Sequence, residues 1–266
     1  MAYQIQTAPA DGFSIGRVFA RSFGTIGAQP AQVLMIGLLF SGIPGALFNY
    51  VNARLAQSLA SGVIPLSQYF LLLLLFGLLG TVLNAVQQGV LVRLTVSSEA
   101  GQSIGIGTAM GLDNIPALAA AGLLMGAGTM LGYVALFVPG VIIALMWLVV
   151  PSVLVDEQCG LLAAFGRSRT LTKDARWSIL GLLLILGLVL GAINFLIRRL
   201  LINYYGADAF AQLMLGHGVP IVYLVAQATI LGVVLTVSAL VHTSVYVELR
   251  NWKHGTPADA LAEIFA

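Results

Sequence analysis

Polar positions in this 266-residue chain are confined to short stretches between long apolar ones. Runs such as YFLLLLLFGLLGTVL from Tyr69 and SILGLLLILGLVLGAI from Ser178 carry no charge at all. They approach the ~20 apolar residues a helix needs to cross a ~30 Å hydrocarbon layer. Backbone polar groups in lipid must be satisfied internally, and a membrane barrel would alternate polar and apolar positions instead. The pattern predicts an all-α, multi-pass helical membrane protein with six spans: Ala31–Val51, Leu66–Leu91, Pro116–Leu136, Pro139–Val155, Trp177–Ile197 and Pro220–Val247. One helix from Pro116 to Val155 would far exceed a bilayer, so a tight turn is expected at Pro139–Gly140. The last span is long enough to project or tilt.

Short amphipathic stretches separate the spans, and two of them match. FARSFGTIGAQPAQVLMIGLL from Phe19 aligns without gaps to FGRSRTLTKDARWSILGLLLI from Phe165. Phe19, Arg21 and Ser22 fall on Phe165, Arg167 and Ser168, and Val33–Leu34 on Ile179–Leu180. A weaker third copy starts at Ser103 and lacks basic residues. The chain then reads as a single membrane domain, 1–266, built from three units. An interfacial helix (11–29) precedes a first hairpin (31–96); an interfacial segment and second hairpin occupy 100–155; a second interfacial helix and third hairpin occupy 158–250. A tail follows at 251–266.

On a helical wheel Ile15, Val18, Phe19, Phe23 and Ile26 of the first element share one face, with Arg17 and Arg21 opposite. That is the layout of a helix lying in the headgroup plane with its cations toward anionic lipid. In the second, Leu161, Leu162, Phe165 and Leu171 form a looser apolar arc, and Arg167 faces away from it. Arg169 takes the place of Phe23, within that arc, where a guanidinium must snorkel, pair with Asp156 or Glu157, or hold a phosphate.

Composition agrees with lipid as the solvent: 59% of residues are hydrophobic and 8% charged, against roughly 25% charged in soluble domains. Seven of the 22 charged residues lie between Asp156 and Trp177. With the N-terminus inside, nine Lys/Arg fall on the cytoplasmic side and three (Arg54, Arg198, Arg199) outside. That is the positive-inside bias, and it predicts both termini in the cytoplasm. Trp177 and Trp252 at the inner ends, with Tyr204 and Tyr205 outside, are placed as an aromatic belt. The opening residues have no Lys or Arg and no apolar core, so no secretory signal is expected. Cys159, the single cysteine, allows no intramolecular disulfide and no cysteine-based metal site.

FVPGVIIALMWLVVPSVLVDEQCGLLAAFGRSRTLTKDARW, from Phe137 to Trp177, resembles the YciC-type bacterial inner-membrane proteins and the membrane domain associated with some glycerophosphodiester phosphodiesterases. The resemblance rests on Pro139–Gly140, on Val155–Glu157, and on Ser168, Leu171, Thr172 and Lys173. At the C-terminal end it rests on Tyr246, Leu249 and Arg250. His254 and Asp174 depart from the pattern. The motifs cover about a fifth of the chain; the resemblance implies a comparable topology and, through the phosphodiesterase association, a link to lipids.

No H-E-x-x-H, Walker A, G-x-S-x-G or paired intramembrane carboxylates occur, and Gly105-x-Gly107 lacks a βαβ context. A non-enzyme without cofactor or metal is expected. The candidate lipid-headgroup residues are Arg17, Arg21, Arg167, Arg169, Lys173 and Arg176. A candidate polar seam joins Asn84, Gln87 and Gln88 of the second span to Tyr223, Gln227, Ser238 and His242 of the sixth. Such stripes usually fasten helices to one another, with a hydrated pathway or headgroup cavity as the alternative. Gly122/Gly126, Gly128/Gly132 and Gly187/Gly191 allow close helix contact within the chain or between copies. The expected function is non-catalytic association with, or organisation of, anionic phospholipids at the cytoplasmic face. The alternative is a small transporter or channel along the seam. Membrane phospholipid and, through the Gly-rich helix faces, a second copy of the chain are the expected partners, and nucleic acid is not.

Overall fold

The computed structural model describes residues 12–99, 105–110, 114–206 and 221–254. These residues form helices α1 (Ile15–Ala28), α2 (Pro30–Gly37), a π segment (Leu38–Gly42), α3 (Ile43–Ala60), α4 (Leu66–Glu99) and α5 (Ile106–Met110). They continue as α6 (Ile115–Ala135), α7 (Phe137–Trp147), α8 (Val150–Asp156), α9 (Leu161–Thr172), α10 (Arg176–Tyr205) and α11 (Ile221–His254). No strand occurs among the described residues. Among the described residues, six helical stretches are long and apolar enough to cross a membrane: Pro30–Ala60, Leu66–Ser98, Ile115–Ala135, Phe137–Asp156, Arg176–Tyr204 and Val225–Lys253.

All six expected spans are present, and all but the third are longer than the apolar pattern implied. Hydropathy marks the part that fits hydrocarbon, whereas intrahelical hydrogen bonds continue until something stops them. After α3 the stop is explicit. Gly62, at φ +75°, follows the last helical turn; its N–H donates to the Leu59 carbonyl and that of Val63 to the Ser58 carbonyl. This is a Schellman ending, and it needs the left-handed conformation glycine supplies. The turn expected at Pro139–Gly140 lies three residues earlier. Leu136 is extended (φ −169°, ψ 149°), and Pro139 sits in the first turn of α7, where its missing N–H costs nothing.

α4 and α11 form the centre of the bundle. α11 packs against α1, α2, the π segment, α3, α4, α8, α9 and α10, and α4 also holds α6 and α8. The buried core lies in the half of the bundle that contains α1, α8 and α9, with Leu91, Leu94, Val149, Val153, Ile179, Leu182, Leu240, Val245 and Leu249 almost wholly enclosed. Toward the far end the helices present apolar side chains outward: Leu131, Val134, Phe137, Leu188 and Phe195 are each exposed. Lipid tails are as apolar as leucine, so such surface has no reason to close on itself.

Close approach between the first span and α11 depends on glycine. A Cβ on Gly37 would strike the Thr236 hydroxyl, and one on Gly42 the Ala228 carbonyl, while Gly232 lies opposite both. Gly122 and Gly126 press likewise on Thr81 and Val82 of α4, and Gly128 and Gly132 on Trp147 and Gly140. Those two expected pairs act within the chain. Gly187 and Gly191 have open space beside them.

Candidate functional site

α11 carries its polar residues to one end, and each fixes a different neighbour there. Glu248, with its side chain 3% exposed, pairs with Arg17 at 2.6 Å and Arg21 at 3.3 Å. It also accepts the Ser14 backbone N–H at 3.2 Å. Two residues to either side of Glu248, Arg250 (2.5 Å) and the Tyr246 hydroxyl (2.6 Å) both donate to Asp156 at the end of α8. Lys253 donates to Asp174 and to the Thr170 carbonyl at the α9–α10 corner, both at 2.8 Å. That hydrogen bond and the ammonium charge hold the Asp174 carboxyl below the usual carboxylate range. Glu157 pairs with Arg167 at 2.9 Å. A left-handed Gln158 (φ 47°) turns the chain between them. Every carboxylate whose side chain is described is thus ion-paired.

The two matching segments make comparable contacts. Ser22 is buried and donates to the Ser244 hydroxyl at 2.8 Å; Ser168 is buried and donates to the Met146 carbonyl at 2.7 Å. Arg21 meets a glutamate at the end of one span and Arg167 meets one at the end of another. Phe165 packs edge-on against Trp147, with ring centres 5.0 Å apart.

The six headgroup candidates therefore divide. Arg17, Arg21 and Arg167 are held in ion pairs. Arg169 and Lys173 are exposed with no ion pair among the described residues, and the Arg176 Nε is buried without a hydrogen-bond partner. Arg169 does not lie in a protected apolar arc, and neither Asp156 nor Glu157 reaches it. Its counterpart Phe23 is itself 59% exposed. The buried residues of α1 are Val18, Ser22 and Thr25, with Ile15, Phe19 and Ile26 packed against the core beside them, which leaves Phe23 outside it. Trp177, next to Arg176, is 86% exposed, and Leu162, about two turns before Arg169 on the same face of α9, is 81% exposed.

Within the bundle the seam separates into parts. Gln87 is wholly buried, accepts from Ser41 of the π segment and donates to the Thr236 hydroxyl at 2.9 Å. Ser41 and Thr236 escaped the sequence reading because each is a lone hydroxyl in an apolar run. Gln88 donates to Asn84 at 2.7 Å and lies 3.4 Å from His242 Nδ1. Asn84, Gln88 and His242 line a cavity of about 340 Å³ between α4, α6, α7 and α11. Ser238 is half-buried outside that lining, and the Tyr223 side chain lies outside the described residues. Gln227, fifteen residues before His242, sits roughly 22 Å away along α11. The seam is not continuous.

No known family pattern, curated protein or solved structure matches this chain. The six apolar helices are those of a membrane-spanning protein.

Proposed function

We propose that this is a non-catalytic integral membrane protein of the YciC type, which holds anionic phospholipid at the basic end of its bundle. The observation that carries the reading is the α9–α10 corner. There Arg169 and Lys173 are exposed and Arg176 keeps an unpartnered nitrogen, while the neighbouring basic residues are taken up by carboxylates. Trp177 and Leu162 suit the boundary between headgroups and chains. A basic side chain near an anionic leaflet contributes about 1 kcal/mol, and an arginine fork adds two-pronged phosphate contact that lysine lacks. The excess of basic residues at this end supports a cytoplasmic orientation for it and for both termini, and the resemblance to YciC-type proteins points to a bacterial inner membrane. The shared contacts of α1 and α9 support a repeated unit of interfacial helix plus hairpin, and the open faces of Gly187 and Gly191 leave room for a second copy.

Transport along the seam has less support, since Gln87 is hydrogen-bonded on both sides and enclosed. The test is phospholipid retained through purification. Arg169→Lys is expected to lower retained anionic lipid several-fold while Arg167→Lys leaves it near wild-type. Equal retention in both variants and in the Arg169→Ala/Lys173→Ala/Arg176→Ala triple variant rejects the headgroup assignment. Ready modification of a cysteine at Gln87 by an aqueous thiol reagent would instead favour transport.

A further inference from the structure

The cavity beside Gln88 has a second observation attached. Gln88 is 3% exposed, lines the cavity, and its Oε1 has no hydrogen-bond partner. An amide oxygen buried at this depth without a partner carries the full desolvation penalty of a lost hydrogen bond. Its amide nitrogen is already engaged by Asn84 and His242. Rotating both amides would exchange an orphan acceptor for an orphan donor, and a hydroxyl group satisfies either.

The rest of the lining is uncharged. Thr81 and Thr129 return their hydroxyl hydrogens to carbonyls of their own helices, at 2.7 and 2.6 Å, and so face outward as acceptors. No carboxylate, lysine or arginine borders the cavity, so nothing there neutralises an ion. The volume falls at the lower end of ligand sites, about 300–1,000 Å³.

The mouth is at Gly77 and Gly80, both exposed and with no atom near a would-be Cβ. They lie in the middle of the α4 span, among exposed Leu75 and Leu79, so access is from hydrocarbon and not from water. Across the same two glycines and Asn84 lies a second cavity, of about 250 Å³, walled by Phe40, Phe48, Phe76 and Leu83. One notch in α4 joins a polar chamber to an apolar one.

From this geometry we infer an intramembrane binding site for an uncharged, hydroxyl-headed lipid, its hydroxyl on Gln88 and its alkyl chain in the aromatic chamber beyond Gly77 and Gly80. The site is independent of the basic corner. Long-chain alcohols and diacylglycerol share this chemistry.

Full-length protein in lipid nanodiscs would be exposed to three photoreactive probes of equal chain length: a primary alkanol, a diacylglycerol and a phosphatidic acid. The expected result is labelling of α4 and α6–α7 peptides by at least one hydroxyl probe, falling about tenfold in Gln88→Leu. Which of the two labels identifies the source. Gly80→Leu, whose added side chain starts in open space, is expected to fold normally and to block labelling, which covers the case of a misfolded Gln88 variant. Undiminished labelling in both variants, equal labelling by phosphatidic acid, or no labelling by either hydroxyl probe overturns the site.

Discussion

Glu248 shows how much a single residue can bind together in lipid. Its carboxylate meets two arginines and a backbone amide in a 3% exposed position. Breaking a buried ion pair from one side strands the other charge, at up to 3–5 kcal/mol; the 46% exposure of Arg17 reduces that. Glu248→Ala is expected to destabilise the protein by about 2–3 kcal/mol, and Glu157→Ala, whose pair is a quarter to a third exposed, by less than about 1 kcal/mol. Thermal melts in detergent would rank the two. Glu248 was not legible beforehand because it stands just past the apolar run, where an exposed charge is the ordinary expectation; only α1 folding across 231 positions buries it. Arg169 was half legible. Its equivalence to Phe23 follows from the alignment, but both positions are exposed: Ile15, Val18, Phe19 and Ile26 turn toward the core and leave Phe23 outside it. Cys159 gives a pH reading. Burial and then the Glu157 carboxylate push its thiol up. Less thiolate is present at neutral pH than in an ordinary cysteine, so maleimide labelling is expected to be slow there and to accelerate through the alkaline range.

Among the elements, the π segment explains why one contact could not be found by motif. Small residues four apart share a face of an α-helix, and Gly122/Gly126 and Gly128/Gly132 were found that way. Gly37 and Gly42 are five apart, and the wider turn at Leu38–Gly42 brings them to the same face. The same turn aims Ser41 at Gln87. Gly42→Ala would drive a methyl into the Ala228 carbonyl, which cannot yield without moving α11. A loss of about 1–3 kcal/mol is expected, against almost none for Gly187→Ala. Equal melting temperatures for the two variants would contradict this packing.

For the molecule as a whole, span number and all-helical class were written in hydropathy, because lipid allows few alternatives. What hydropathy could not supply is which helices touch. The basic end is closely packed, and α10 departs from the bundle beyond Leu186, exposing Leu188, Val189 and Phe195. Orientation is open to direct measurement. An impermeant thiol reagent on intact cells is expected to label a cysteine placed at Ala60 and to reach Cys159 only after permeabilisation. Labelling of Cys159 in intact cells would invert the arrangement.

The clasp between α1 and Glu248 also has a timetable. At roughly 5–20 residues per second of synthesis, the 231 positions from Arg17 to Glu248 take about ten to fifty seconds to emerge. For that interval α1 has α2 and α4 to pack on but lacks its carboxylate partner, and its two arginines are left to the anionic surface of the membrane. The nascent chain therefore passes its early life as a peripheral helix tethered to a growing bundle, and ribosome release, not span insertion, sets the moment of closure. A chain truncated before residue 248 is expected to leave α1 open to protease cleavage at Arg17 and Arg21, where the full-length protein resists it.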